Sequence, residues 1–83
     1  MILEILTPEK KLYSGEASLV QLPGVDGLFE ILDKHAPLIS ALGKGTVKVN
    51  DKDGKLKNFT INGGFVECLN NKVIVCAEGG AAQ

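Results

Sequence analysis

The fold class follows from one segment, Phe65-Val66-Glu67-Cys68-Leu69-Asn70-Asn71-Lys72-Val73-Ile74-Val75-Cys76-Ala77. Two runs of apolar and β-branched residues flank a pair of asparagines, which tolerate the positive φ angles of a two-residue hairpin turn. The segment therefore predicts a β-hairpin in which Leu69 pairs with Lys72 and Cys68 with Val73. In this register Cys76 lies opposite Phe65, so the two thiols are not cross-strand partners and a disulfide between them is disfavoured. Val66 and Val75 lie opposite each other and should share one buried face.

The remaining sequence also consists of short apolar runs interrupted by Gly, Pro, Asn and Asp, and no segment keeps a helical period. A second hairpin is predicted at Asp51-Lys52-Asp53-Gly54, which joins residues 46–49 to residues 56–61. The apolar runs span residues 2–6, 12–14, 17–22, 28–32, 38–42, 46–49, 56–61, 65–69 and 73–77. About nine short strands with a turn every eight to ten residues or so predict an all-β sandwich or barrel that forms a single domain.

The composition excludes several classes of protein. The chain has 83 residues and a formal net charge of −1, and all nine of its basic residues are lysines. Nucleic-acid-binding proteins usually present a basic face with arginine side chains, so no nucleic-acid partner is expected. No apolar stretch approaches the ~20 residues of a membrane-spanning helix, and the N-terminus lacks the features of a signal peptide. Without secretion, Cys68 and Cys76 are expected to be reduced thiols.

Two short motifs are similar to ligand-binding loops but lack essential parts. Gly43-Lys44-Gly45-Thr46 is similar to the end of a phosphate-binding loop, which requires a long helix after its hydroxyl residue, whereas a strand is predicted here. Asp51-Lys52-Asp53-Gly54 is similar to part of a calcium loop, which requires a glutamate at the position occupied by Thr60. Both segments are therefore predicted to be turns.

No set of residues predicts a catalytic or metal site. His35 is the only imidazole, and a hydrolase centred on His35 and Ser40 would still need an acid that orients the ring. A zinc site would need three or four ligands, and the two cysteines lack the CxxC spacing. We therefore expect a non-catalytic domain, without cofactor, that presents its surface to a partner. The apolar residues of segment 25–32 either form such a contact site or cap the core, and the pattern leaves both possibilities open.

Four groups of residues carry a more specific pattern. They are Thr7-Pro8-Glu9-Lys10-Lys11-Leu12-Tyr13-Ser14-Gly15; Leu22-Pro23-Gly24-Val25-Asp26-Gly27; His35-Ala36-Pro37-Leu38-Ile39-Ser40-Ala41-Leu42 followed by Gly45; and Gly63-Gly64-Phe65-Val66-Glu67 with Val73-Ile74-Val75-Cys76-Ala77. In this order and spacing, over residues 2–78, the sequence resembles the epsilon subunit family of F-type ATP synthase, termed delta in mitochondria.

The resemblance implies a ten-stranded β-sandwich, or flattened barrel, over residues 1–78, followed by a flexible tail at residues 79–83. It implies a non-catalytic central-stalk subunit that binds the gamma subunit and the c-ring and couples proton-driven rotation to ATP synthesis. The implied location is peripheral, on the cytoplasmic side of the inner or cell membrane, within the ATP synthase complex and without direct membrane insertion. The implied c-ring contacts are Val25, Asp26, Gly27, Leu28, Phe29 and Glu30. The implied gamma contacts are Thr7, His35, Ala36, Pro37 and Leu38.

Two departures from the family pattern restrict these expectations. Many relatives carry an acidic residue at the position of Leu28, although Asp26 and Glu30 flank it and remain available to a cationic loop. Most relatives also continue into a C-terminal helical hairpin that can inhibit ATP hydrolysis, and this sequence has no counterpart of it, so the inhibitory role is not assigned. The alternative function is a small-ligand- or carbohydrate-binding β-sandwich. A lone tyrosine, Tyr13, and the absence of tryptophan disfavour a sugar-stacking platform.

Overall fold

The computed structural model describes all 83 residues and contains seven β-strands and no helix. The strands are β1 (Ile2–Leu6), β2 (Lys11–Gly24), β3 (Gly27–Leu32), β4 (Leu38–Asp51), β5 (Leu56–Leu69), β6 (Lys72–Ala77) and β7 (Gly80–Ala82). Neighbouring strands follow the order β1-β6-β5-β4-β2-β3, with β7 beside β5 and a further pairing of β1 with β2. The all-β prediction is confirmed, and no helix capable of crossing a membrane is present.

The sheet folds into two layers because its three longest strands, each of 14 residues, pass from one layer to the other. The β1 layer contains residues 11–16 of β2, then β1, β6, residues 64–69 of β5 and residues 38–42 of β4. The β3 layer contains β3, residues 19–24 of β2, residues 42–51 of β4, residues 56–62 of β5 and β7. The expected sandwich is therefore present, but with seven continuous strands where ten were expected, and these seven supply five segments to each layer.

Gly63 and Gly64 allow β5 to change layers without ending. Both have positive φ angles, 115° and 141°, which L-residues with side chains rarely adopt. At Gly64 a side chain would also collide with β6, because an added Cβ would lie 2.1 Å from the carbonyl oxygen of Cys76. The apolar runs 56–61 and 65–69, predicted as two short strands, are therefore one strand, β5, that bends at these glycines.

The core lies between the layers. It is formed by the side chains that point inward at every second position along the strands. It consists of 16 buried hydrophobic residues, including Leu3 and Ile5 of β1, Val47 and Val49 of β4, and the cross-strand pair Val66 and Val75. Val66 and Val75 have no exposed surface, so the predicted shared buried face is confirmed.

The two predicted hairpins are confirmed. Asn70 and Asn71 have φ angles of 52° and 61°, and Leu69 pairs with Lys72 across them. In the other turn, the Asp51 carboxylate accepts hydrogen bonds from the backbone N–H groups of Asp53 at 2.8 Å and Lys55 at 2.9 Å. Asp51 therefore caps a turn, as expected for this segment. Both cysteines are free thiols.

The C-terminal residues differ from the expected flexible tail. Gly80–Ala82 form β7, which pairs with residues 59–61 of β5. Backbone hydrogen bonds hold the segment on both sides, from Asn62 N–H to Gly79 O at 3.0 Å and from Gln83 N–H to Asn58 O at 2.9 Å. The attachment is through the main chain, and the absence of a side chain at Gly80 permits the close approach, since a Cβ there would lie 2.5 Å from the Thr60 carbonyl oxygen.

Candidate functional site

The six predicted c-ring contacts form one continuous hairpin end between β2 and β3. Val25 and Asp26 form the turn, and Gly27, the first residue of β3, has a φ of 128° and open space around it. Val25 and Leu28 are 63% and 67% exposed, whereas Phe29 packs against the core. The turn is held to the rest of the sheet by a hydrogen bond from Val25 N–H to Ala41 O at 3.2 Å. The apolar residues of this segment thus do both things that the sequence suggested: Phe29 caps the core and the other two are exposed.

The two carboxylates of this hairpin end are exposed and unpaired. None of the three ion pairs in the structure involves Asp26 or Glu30. The Glu30 carboxylate accepts only a long hydrogen bond, 3.5 Å, from the Gln21 side-chain amide. Since both are free of cations, their charge is available to an external cationic group.

Four of the predicted gamma contacts form the corner between β3 and β4. The turn after β3 closes through a hydrogen bond from His35 N–H to Leu32 O at 3.1 Å. The His35 ring uses Nδ1–H to bond the Ala36 carbonyl at 2.7 Å, and the Cys68 thiol approaches the His35 carbonyl at 3.8 Å. Leu38 packs partly against the core. The histidine is therefore part of a structural corner.

An ion pair fixes this corner against two other elements. Asp33 accepts hydrogen bonds from the N-terminal ammonium at 2.7 Å and from the Asn71 side-chain amide at 2.9 Å. Asn71 in turn accepts the Lys34 N–H at 2.7 Å. The hydrogen bond from the ammonium group, followed by that from Asn71, lowers the pKa of the Asp33 carboxyl. The corner is thus tied to the start of β1 and to the β5–β6 turn.

Thr7 does not join this corner. It closes its own turn: its hydroxyl donates a hydrogen bond to the Lys10 carbonyl and accepts one from the Lys10 N–H, both at 3.1 Å. The neighbouring Leu6 aligns across β6 and β5 with Ala41, three residues along β4 from Leu38. At about 3.3 Å per residue, Thr7 is therefore displaced by at least ~10 Å along the strands from the other predicted gamma contacts.

The sequence interpretation missed an apolar outer face on the β1 layer. We use this name for six outward-pointing side chains on four adjacent strands: Ile2, Ile39, Phe65, Leu69, Ile74 and Cys76. Ile39 is 74% exposed, and Phe65 and Leu69 are each 50% exposed. Glu4, Glu67 and Lys72 point outward between these side chains, so the face is apolar only in part, but exposed apolar surface of this kind marks an interaction site.

The centre of the outer face of the β3 layer is polar, whereas Leu28, Leu32 and Leu56 are exposed towards its margins. Its outward-pointing central residues are Gln21, Lys44, Thr46, Lys48, Asn58, Thr60 and Asn62. The contrast could have been found from the predicted hairpin register, because Phe65, Leu69, Ile74 and Cys76 occupy the face opposite the buried valines. The available signal was that the side chains on both faces of this hairpin, and not only those on the buried face, are mostly apolar.

The corner and the apolar outer face are continuous. A groove of about 320 Å³ lies where they meet and is lined by Pro37, Leu38, Ile39, Glu67, Cys68 and Leu69. Burial raises the pKa of the Cys68 thiol, so at neutral pH the sulfur contributes an apolar wall to the groove.

The tyrosine is not arranged as a sugar platform. A groove of about 420 Å³ includes Tyr13, but the Lys57 ammonium lies 5.5 Å from the ring centroid and the Phe59 ring packs against it at 5.9 Å. The Tyr13 hydroxyl donates a hydrogen bond to the Glu16 carbonyl at 2.9 Å. Nowhere do three His, Cys, Asp or Glu side chains converge as metal ligands would. The carbohydrate alternative gains no support from this geometry.

The sequence is similar to known proteins along its whole length. Residues 1–82 match the family described as ATP synthase, Delta/Epsilon chain, beta-sandwich domain. The ATP synthase epsilon chain of Chlorobium limicola is 46% identical over 76 residues, which make up 92% of this chain and 86% of that protein. The ATP synthase epsilon chain of Leptospira borgpetersenii serovar Hardjo-bovis is 42% identical over 79 residues, 95% of this chain but only 61% of that protein.

The fold is also shared with solved structures. A chain of Euglena gracilis mitochondrial ATP synthase, determined with OSCP, F1 and the c-ring, matches with a TM-score of 0.91 at 19% identity and covers 99% of this chain and 52% of that one. A chain of the central stalk and c-ring of Tetrahymena thermophila mitochondrial ATP synthase matches with a TM-score of 0.78 at 20% identity. This match covers 96% of the present chain and 64% of the Tetrahymena chain. At these identities the likeness is evidence for the fold alone.

The family predicted from four sequence motifs is confirmed by these comparisons. The family match includes the hairpin end, the corner and the apolar outer face, since it extends over residues 1–82. The chain therefore belongs to the delta/epsilon chain family of ATP synthase, whose β-sandwich domain its residues 1–82 match.

Proposed function

We propose that this chain is a rotor component of the central stalk, which binds the gamma subunit and the c-ring and so couples proton-driven rotation of the ring to ATP synthesis. The observation that carries the proposal is the presence of two separate exposed surfaces, one acidic and one apolar, on a single rigid body of this family. Its location would be peripheral, on the cytoplasmic side of the membrane that holds the ring.

The architecture suits a part that transmits torque. Residues 64–69 of β5 belong to one layer and residues 56–62 to the other, and the same holds for the two halves of β4 and β2. Sliding one layer over the other would break the hydrogen bonds that these continuous strands make with their neighbours. We therefore expect a stiff body in which force applied at one surface reaches the other with little deformation.

We assign the c-ring contact to the hairpin end, residues 25–30. Val25 and Leu28 offer exposed apolar surface, and Asp26 and Glu30 offer two unpaired charges to cationic loops of the ring. Leu28 would supply apolar contact where relatives use a carboxylate, so the flanking acids would carry the charge.

The ring contact can be tested with the double variant Asp26→Asn, Glu30→Gln. The neutral variant should bind a purified, detergent-solubilised c-ring more weakly at low salt, and its affinity should vary less with salt because two charge contacts are gone. The matched control is Glu9→Gln, Glu16→Gln, which removes the same charge from exposed sites elsewhere. An equal loss in both double variants would show that net charge, and not the hairpin end, governs binding.

We assign the gamma contact to the corner residues His35, Ala36, Pro37 and Leu38 together with the apolar outer face that continues from them. Exposed aliphatic and aromatic side chains around a groove are typical of the central part of a protein interface. Thr7 would contribute only if the interface also extends to the opposite end of the layer.

The gamma contact can be tested by titrating immobilised gamma subunit with the chain and two variants. An interface of standard size, roughly 1,600 Å² in total, should give a complex that persists at micromolar concentration. Ile39→Asp places a charge on the apolar outer face and should weaken binding by about tenfold or more. Leu56→Asp is the control, because Leu56 is 61% exposed but lies on the other layer. Failure of the unaltered chain to bind gamma at micromolar concentration would refute the proposal.

A further inference from the structure

β3 forms one of the two longest open edges of the sheet. This strand of six residues pairs only with β2, and its register with β2 is uninterrupted. The other open edges are shorter or less regular. β7 has three residues, and the outer side of residues 38–42 of β4 is partly used by the Val25 to Ala41 hydrogen bond. Residues 11–16 of β2 form an edge of equal length, but it begins with a lysine and its register with β1 is irregular.

Pro23 determines which backbone groups of β3 face this edge. Pro23 pairs with Leu28 and has no N–H, so the two cannot exchange the two hydrogen bonds of a hydrogen-bonded antiparallel pair. Because such pairs alternate along the ladder, Glu30 and Leu32 also occupy non-hydrogen-bonded positions, and the N–H and C=O groups of all three residues point away from β2. The Leu32 carbonyl accepts His35 N–H, and no other hydrogen bond outside the ladders uses these groups.

The edge lacks most of the devices that keep strand edges from pairing. Between Gly27 and Leu32 there is no proline, no lysine and no bulge. The outward side chains are Leu28, 67% exposed, Glu30, which is exposed, and Leu32, 51% exposed. Glu30 is thus the one charge on a row of apolar side chains.

Glu30 also disfavours pairing of the edge with a second copy. The antiparallel register that pairs the whole of residues 28–32 places Leu28 opposite Leu32 and Glu30 opposite its own counterpart. Directly opposed carboxylates lie about 5 Å apart and repel. A partner strand with a basic residue opposite Glu30 would avoid this repulsion. Apolar residues two positions before and two positions after that basic residue would lie opposite Leu28 and Leu32.

We propose that the β3 edge binds an extended polypeptide segment by adding it as a further antiparallel strand, and that the segment carries an apolar–basic–apolar pattern on alternate residues. Three N–H groups and two free C=O groups supply the ladder, and the outward row of Leu28, Glu30 and Leu32 selects the pattern. This mode of recognition goes beyond the coupling role. It shares Leu28 and Glu30 with the proposed ring contact, so a bound segment and the ring would be alternatives, and the proposal is therefore tested on the isolated chain.

A Glu30→Lys variant of this same chain is a suitable probe, because its β3 has the required pattern. In a mixture, the antiparallel register pairs Leu28 with Leu32 and Glu30 with the introduced lysine, whereas each protein alone faces a like charge. Isotope-labelled unaltered chain would be mixed with unlabelled variant, and amide hydrogen exchange would be followed by NMR. The control is a Glu16→Lys variant, which makes the same charge change on the other layer. Far-UV circular dichroism would show that both variants are folded.

The expected result is slower exchange at the amides of Leu28, Glu30 and Leu32, and little change at Phe29 and Ile31, which already bond to β2. The slowing equals one plus the ratio of free variant to Kd, so it reaches about fivefold when the variant is at four times Kd. The control mixture should show no slowing. The proposal is overturned if these three amides are unaffected at millimolar variant, if Glu16→Lys slows them equally, or if the protected amides lie elsewhere on the surface. None of these outcomes bears on binding to gamma or the ring.

Discussion

Replacing Gly64 by alanine should destabilise the fold by about 2–6 kcal/mol. Two causes add. The positive φ of 141° is unfavourable for a residue with a Cβ, which costs about 1–3 kcal/mol. The new methyl group would also lie 2.1 Å from Cys76 O and 2.9 Å from Ala77 Cα. These are backbone atoms of β6 and cannot rotate aside, so β5 and β6 must separate locally, at a further cost of about 1–3 kcal/mol.

Gly27→Ala separates the two causes. Gly27 has a similar φ, 128°, but an added Cβ there would meet nothing within 4 Å. This control should therefore lose only the conformational part, about 1–3 kcal/mol. Urea unfolding followed by circular dichroism gives the free energy of unfolding of each variant from the midpoint and the slope. At about 0.05–0.15 kcal/mol per residue, a domain of this size has only some 4–12 kcal/mol in total, so Gly64→Ala should be close to unfolding. If both variants lose the same free energy within ~0.5 kcal/mol, the close contact between β5 and β6 is refuted.

Three further predictions concern single side chains. Val66→Ala and Val75→Ala should each lower the free energy of unfolding by about 1–3 kcal/mol in the same urea assay, and near-zero losses at both would contradict their burial. The backbone N–H of Lys55, followed by that of Asp53, lowers the pKa of Asp51, so this carboxylate stabilises the fold above about pH 4, and the contribution disappears as the pH falls through its folded pKa. The unfolding midpoint of Asp51→Asn should therefore vary less between about pH 5 and pH 2 than that of the unaltered chain, and parallel curves would contradict the capping role. Iodoacetamide should alkylate the half-buried Cys76 before Cys68, whose pKa is raised by burial, and equal rates by mass spectrometry would contradict the buried position of Cys68.

The register of the hairpins could be predicted because it depends on neighbouring residues. Asn70-Asn71 specifies a tight turn, and the two-residue periodicity then determines which side chains share a face. The same local signals predicted more strand ends than the structure contains. Gly63-Gly64 was expected to separate two strands, whereas their positive φ angles bend a single one. A local pattern does not distinguish a bend from an end, because the difference depends on where the partner strands continue.

The parts that could not be predicted depend on contacts between distant segments. β7 has no apolar anchor, and its backbone bonds to residues 58–62 could not be inferred from its own composition. Thr7 and the His35 corner both occupy family motifs, but only the alignment of four strands shows that they lie at different ends of a layer. The apolar outer face was accessible in principle, since the predicted register already placed Phe65 and Cys76 together on the face opposite Val66.

The parallel pairing of β1 with β6 has a consequence for biosynthesis. Ile2 pairs with Lys72, so β1 leaves the ribosome about 70 residues before its neighbour β6 does. Until then Leu3 and Ile5, both fully buried in the finished structure, have only β2 to cover them. Such distant partners slow folding and prolong the time during which an apolar strand is open to aggregation. Newly made chains should therefore depend on chaperones most strongly just before β6 emerges.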